Sequence, residues 1–185
     1  FADENFEKLI TRIAAGYPTI FNEEHMDDYN SLVHHTLGAM CPTPESFKLK
    51  EVEQAKIIPE LEFFFDVKKM STGQLKEISD IVQIDDYRTI EGAMTGFVDL
   101  FFEHKGKYYI LDWKSNFLGN SLDNYTHEKM DEAMRGNNYH LQHLIYTMAV
   151  KRYLESRLPD FDYERDFGGC LYVFLRGCRK DKSSG

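Results

Sequence analysis

Two aspartates and a lysine stand in apolar surroundings. Asp99 interrupts the run Phe97-Val98-Asp99-Leu100-Phe101-Phe102, and Asp112 follows Tyr108-Tyr109-Ile110-Leu111 and precedes Trp113-Lys114. A buried carboxylate costs free energy unless it is paired, hydrogen-bonded or bound to a cation. Residues two apart on a strand share a face, so Asp112 and Lys114 point the same way. If a hairpin closes near Lys105-Gly106, cross-strand partners sum to about 211 and Asp99 lies opposite residue 112. Two facing carboxylates repel each other unless a divalent cation lies between them. Carboxylate oxygens with water are the donors that Mg²⁺ takes, and a lysine on the same face can orient or activate a water. The plainer alternative is a buried Asp–Lys ion pair with the other aspartate at a strand end. An isolated D-x-K is common by chance, and Asp99 across the hairpin lifts the constellation above that level. Removing one carboxylate from such a site relieves repulsion, so stability is expected to hold or rise.

The elements that must position these residues follow from patterning. Phe6, Leu9, Ile10 and Ile13 predict a helix over 3–15, stopped by Gly16-Tyr17-Pro18. Asn22 with Glu23 and Glu24 opens a second helix over 22–40, with Leu32, Val33, Leu37 and Met40 as its stripe and Cys41-Pro42-Thr43-Pro44 as its end. Leu61 to Asp66 reads as a strand, and 71–82 as a short helix starting at Ser71 or Thr72. Met94–Glu103 and Tyr108–Lys114 form the hairpin about Lys105-Gly106-Lys107. From Asn124 to about Leu158 the pattern is helical, with a break at Gly136-Asn137-Asn138 and Leu141, Leu144, Ile145 and Met148 as its packing stripe. Gly168-Gly169 leads into the buried strand Cys170 to Leu175. Strand, hairpin, long helix, strand is a mixed α/β order. We divide the chain into a helical lead-in at 1–58, a core at 59–178 and a loose tail at 179–185.

Charge and cysteine usage narrow the function. The 185 residues carry a formal charge of −9, with five basic and eleven acidic groups in 1–60 and eight basic and six acidic in 151–185. Affinity for a polyanion cannot come from net charge, and an anionic ligand is expected nearer the C-terminal part or at carboxylates occupied by divalent metal. Cys41, Cys170 and Cys178 show no C-x-x-C spacing. They read as packing residues in a reducing cytoplasm. No apolar run is long enough to span a membrane. No G-x-x-x-x-G-K-[ST] nucleotide loop occurs. The start Phe1-Ala2-Asp3-Glu4 has neither Met nor signal-peptide character, so a piece of a longer protein is expected.

Asp-(x)n-Asp-x-Lys across a hairpin resembles the PD-(D/E)XK nuclease superfamily. Tyr139, Gln142 and Tyr146 share one helix face, and Gln-x-x-x-Tyr after the D-x-K strand resembles the RecB-like branch. Leu111-Asp112-Trp113-Lys114-Ser115-Asn116, Tyr146-Thr147, Arg152-Tyr153-Leu154, Pro159 to Glu164, Phe167-Gly168-Gly169 and Tyr172 to Gly177 resemble the C-terminal nuclease domains of exonuclease V beta subunits. The likeness is strongest over 91–177 and traceable from about residue 20.

The resemblance implies a restriction-endonuclease-like α/β core: a mixed sheet flanked by helices. It implies Mg²⁺ (Mn²⁺ can substitute) held by Asp99, Asp112 and the main-chain carbonyl of Trp113, with Lys114 as catalytic lysine. The family also carries a Glu on the strand before the hairpin; Glu60 or Glu62 could serve, and Glu60 is favoured by position. Gln142, Tyr146 and Tyr139 would line the DNA strand or support the site. The implied reaction is phosphodiester hydrolysis during DNA end processing, beside RecC- and RecD-type subunits and a RecA-type recombinase, in the cytoplasm. The contrasting reading is a catalytically silent docking module. A sequence-specific endonuclease of the same fold is disfavoured by Gln142 and Tyr146. The family's metal-binding His in a G-x-x-x-H segment is missing from 1–60. The chain is therefore expected to begin after that segment and to bind metal only at millimolar levels. His34 and His35 read as helix histidines without a ligand role, and His140 and His143 as ordinary helix surface.

Overall fold

Four strands form one mixed sheet in the computed structural model, which describes residues 3–17, 22–71 and 89–180. The first helix, α1, is Asp3–Ala15. A turn of 3-10 helix at Glu23–His25 then leads into α2, Met26–Gly38. Asn22 starts this segment as its type suggests: its Oδ1 accepts the Glu24 N–H at 3.1 Å. The short strands β1 (Met40–Cys41) and β2 (Phe47–Lys48) pair with each other. The main sheet comprises β3 (Ile57–Ser71), β4 (Thr89–His104), β5 (Lys107–Lys114) and β6 (Phe167–Phe174), in that spatial order. Its first three strands are antiparallel, and β6 runs parallel to β5. A parallel neighbour needs a crossover, and the helices α3 (His127–Gly136) and α4 (Tyr139–Arg157) supply it. A single turn, α5 (Tyr163–Asp166), precedes β6.

The turn between β4 and β5 lies where expected but has two residues, because Lys107 already pairs with His104. Lys105 and Gly106 both take positive φ, 51° and 79°, which matches the twist of the flanking strands. The observed register pairs Leu100 with Leu111 and His104 with Lys107, the offset that the hairpin sum requires. The helical stretch breaks where expected, with Asn138 at φ 55° between α3 and α4. Two readings need adjusting. The second helix ends at Gly38, because Met40 and Cys41 leave it to pair with β2. The buried residues of α4 are Ala149, Val150 and Leu154, while Leu141, Leu144, Ile145 and Met148 are only half-buried. The short helix expected at 71–82 lies outside the described residues, apart from Ser71, which ends β3.

Apolar side chains cover both sheet faces. On one face Phe102, Tyr109, Leu111 and Leu171 pack with Ala39, Cys41, Phe47 and Leu49. The lead-in is therefore half of this core, and the boundary at 58 falls inside β3. On the other face Val98, Phe101 and Ile110 pack with Val150 and Leu154 of α4. Strict alternation would put Val98 with Phe102, yet it joins the opposite face. The exchange happens at one place. The β3–β4 ladder runs from Pro59–Leu100 to Leu61–Val98 and skips Glu60 and Asp99 between them. Glu60 sits there at φ 50°, a left-handed conformation costly for a side-chain-bearing residue. The sheet is thus irregular where the first candidate carboxylate stands.

Candidate active site

β5 presents Asp112 and Lys114 to α4, on the face of Ile110. Both are buried, 3% and 5% exposed. The Lys114 ammonium is ion-paired with Asp112 Oδ2. Gln142, one turn into α4, ties the two together: its Nε2 donates to Asp112 Oδ1 at 2.9 Å, and its Oε1 accepts from Lys114 Nζ at 2.7 Å. The amide can serve both because it carries a donor and an acceptor, which no carboxylate or ammonium does. Gln142 Nε2 also lies 2.8 Å from the Tyr146 hydroxyl, one helical turn on. Burial is the main force raising the Asp112 pKa. Lys114 opposes it, Asp99 adds to the rise, and Gln142 pulls back a little. Burial also holds the Tyr146 hydroxyl above its ordinary pKa.

Asp99 approaches from β4. Its Oδ2 accepts the Trp113 main-chain N–H at 2.8 Å, at the end of the β4–β5 ladder. That bond fixes the carboxylate against the peptide between Asp112 and Lys114. Trp113 turns its ring to the opposite face, against the lead-in core. Glu60 is exposed on β3, beside Asp99 in the skipped position of the ladder. Glu62 is exposed too and pairs with Phe97, farther along. Among the described residues no three His, Cys, Asp or Glu side chains are gathered closely enough to hold a metal ion. The fold therefore brings Asp99, Asp112, Lys114, Gln142 and Tyr146 to one place without folding Glu60 into the group.

Two tyrosines complete the surroundings of Lys114. Its Nζ lies 3.5 Å from the Tyr139 ring centroid and 5.2 Å from that of Tyr172. Tyr139 was foreseen as a site residue. Tyr172 was not, though it stands out as the one hydroxyl-bearing side chain in the run Cys170 to Phe174. Its position beside Asp112 follows only once β6 is known to run parallel to β5 in the register Asp112–Tyr172.

His34, His35, His140 and His143 differ in their surroundings. His34 is exposed on α2, and His35 Nδ1 accepts the Lys180 N–H at 3.1 Å. His140 is 3.9 Å from Asp131 and His143 is exposed. Cys41 and Cys178 are buried, Cys170 is half-buried, and none of the three forms a disulfide. Burial pushes the Cys41 pKa up to about 12, as befits an inert packing residue. Among the described residues no helix is long and apolar enough to cross a membrane.

Comparison with known proteins points one way. No family model matches the chain. It is 48% identical over 99 residues, 54% of its length, to the RecBCD enzyme subunit RecB of Haemophilus influenzae. It is 41% identical over 159 residues, 80% of its length, to the same subunit of Buchnera aphidicola subsp. Acyrthosiphon pisum. To that of Borreliella burgdorferi it is 35% identical over 173 residues, 94% of its length. The aligned part makes up only 8% of the first of these relatives and 14% of each of the other two.

Proposed function

We propose, from the premise that the chain is a RecB-derived segment, that it is the metal-dependent DNA nuclease module of a RecBCD-type helicase–nuclease. The observation that carries this is the cluster of Asp99, Asp112, Lys114 and Gln142 at the open end of the β4–β5 hairpin. A structural ion pair needs Asp112 and Lys114 alone. Asp99, aimed at the peptide between them, supports chemistry. The reaction is hydrolysis of phosphodiester bonds during DNA end processing, as in double-strand break repair and recombination.

The residues fit a hard divalent cation such as Mg²⁺. The donors are carboxylate oxygens of Asp99 and Asp112 with the Trp113 carbonyl, and Asp112 Oδ2 is buried with no well-aligned hydrogen bond. When bound, such an ion neutralises phosphate charge and acidifies a water. Asp99 and Asp112 would hold it. Gln142 orients Asp112 through Oδ1 and holds the Lys114 ammonium at the same time. Lys114 positions the attacking water and stabilises charge as it develops on the phosphate. With two carboxylates gathered and Glu60 outside the group, metal binding is expected in the millimolar range, measurable by calorimetry with Mg²⁺ or Mn²⁺.

The relatives are named as RecBCD enzyme subunits. By that likeness we assign the whole protein a place beside RecC- and RecD-type subunits on DNA in the cytoplasm, with a RecA-type recombinase as a further partner. The test is degradation of single-stranded DNA with Mg²⁺, by the full-length protein and by its Asp112→Ala variant. Cutting lost in the variant supports the reading. Equal cutting by both, or none by the wild type, would overturn it in favour of a docking module.

A further inference from the structure

We infer that Tyr139 and Tyr172 form an aromatic cage that positions the Lys114 ammonium for the reaction. The inference rests on the nuclease reading above and assigns both tyrosines a role that acts through Lys114.

An ammonium has three N–H donors. Asp112 Oδ2 and Gln142 Oε1 meet two of them. The Tyr139 ring face covers the ammonium from another side, 3.5 Å from Nζ. A ring face carries negative charge density and attracts a cation, most strongly where water is excluded. Lys114 is 5% exposed, so this is such a place. Tyr172 stands on a second side at 5.2 Å. The two tyrosines are tied together and to the site. The Tyr172 hydroxyl donates to the Tyr139 main-chain carbonyl at 3.4 Å, and the Tyr139 hydroxyl donates to Asn116 Oδ1 at 3.3 Å. Tyr172 also sits in register beside Asp112 on the adjacent parallel strand. Three elements, the β5 end, the start of α4 and β6, thus converge on one ammonium.

The cage has a purpose that the ion pair cannot fill. A lysine stem has four rotatable bonds and costs entropy to hold still. Asp112 cannot be its sole anchor, because the same carboxylate is needed for the cation. An Asp112 whose oxygens are shared holds Lys114 less firmly. The ring faces and Gln142 keep the ammonium in place when that happens. Tyr139 and Tyr172 are therefore positioning residues.

Two measurements test this. The first needs no activity: the Lys114 Cε protons of the 185-residue chain are read by NMR. Protons above a ring face are shifted upfield, and the shift should persist in Tyr139→Phe and vanish in Tyr139→Leu. The second replaces Tyr139 in the full-length protein by phenylalanines of increasing fluorination, which drain the ring face without changing its shape. The value of kcat should fall in step, by about tenfold across the series, with KM flat. Tyr172→Leu should lower kcat less, and Tyr172→Phe should restore it. A purely structural ring would leave kcat flat across the series, which would overturn the positioning role. Ordinary Lys114 shifts in a protein that cuts would overturn the cage and leave the nuclease reading intact. Ring-shifted protons in a protein that does not cut would overturn the nuclease reading, and the positioning role with it.

Discussion

The β4–β5 hairpin buries polar groups at both of its ends and treats them in opposite ways. At the open end Asp112 and Lys114 are paired with each other, and each has a further partner in α4. At the turn end His104 is 8% exposed, tilted against Phe47 with centroids 4.3 Å apart, and its Nε2 has no hydrogen-bond partner among the described residues. Burial, with Lys105 second, lowers the His104 pKa, so the ring is held neutral. Tyr109, next to this end, is also fully buried and spends its hydroxyl on Glu45 at 2.8 Å. Neutralising a buried group is the cheap solution, and the turn end uses it. Keeping two buried ions is expensive even when they are paired. The contrast is what the proposed nuclease role of the open end would call for.

Asp112→Ala breaks the comparison most severely. Cutting should fall by at least about a thousandfold, the scale of removing a preorganised charge from a reacting centre. Stability should fall by about 3 kcal/mol, because Lys114 is left buried without its counter-ion. Sequence reasoning points the other way, to relief of carboxylate repulsion. The ion pair with Lys114 reverses the sign. Urea denaturation of both proteins at neutral pH, beside the cleavage assay, measures the two effects separately.

Gln142→Ala should come next. It removes partners from both ions while leaving them paired with each other, for a loss of about 2 kcal/mol. Gln142→Glu is the sharper variant: a carboxylate can accept from Lys114 but cannot donate to Asp112. If thermal melts show either variant as stable as the wild type, the bridging role of Gln142 is wrong.

Much of the open end was legible in the sequence for a physical reason. Its residues lie on one hairpin and one helix, where spacing alone fixes the faces. The offset that sets Asp99 against residue 112 follows from the turn, helical period puts Gln142 and Tyr146 on one face, and the family resemblance is what assigned that face to the site. Tyr172 was hidden because its neighbour across the parallel β5–β6 pair is some 60 positions away in sequence, as the register shows. Glu60 was found by position, yet its left-handed backbone, which no local pattern announces, leaves it exposed beside the group. In the sequence Gly168 and Gly169 read only as the lead into β6, and the structure adds a reason for the first. A Cβ at Gly168 would stand 2.3 Å from the Tyr109 ring.

At the turn end His104→Phe should have a modest effect of the opposite sign. It replaces a buried ring that has an unpartnered nitrogen with an apolar one of similar shape, for a gain of up to about 1 kcal/mol at neutral pH. The pH dependence sharpens the test. A histidine whose folded pKa is depressed binds fewer protons folded than unfolded. It therefore weakens the fold as pH drops below the ordinary histidine value of 6.5. The gain from phenylalanine should widen between about pH 7 and pH 5. A constant difference across that range would mean that His104 is not the group being titrated.

The smallest expected effect lies on the rim of the same turn end. Asp166, in α5, takes the Asp162 main-chain N–H at 2.9 Å and the Arg165 guanidinium at 2.6 Å, and Lys107 lies near enough to add to the pull. Together they lower its pKa to about 2, the Arg165 bond contributing most. The sign follows from linkage. A carboxylate with a depressed folded pKa stabilises the fold at pH values above the unfolded value of 3.8, and that contribution is lost as pH falls through about 2. Arg165 is 65% exposed, so solvent and salt screen the pair and the contribution is small. Asp166→Asn should therefore shift the urea midpoint slightly at pH 7 and less in half-molar salt. The Asp166 carboxyl carbon, followed by NMR, should titrate below the ordinary aspartate value. A midpoint at the ordinary aspartate value would show that the α5 turn does not hold its ion pair in solution. The rim of the turn end would then keep its Lys56–Glu103 and Lys107–Glu45 pairs without the one in α5.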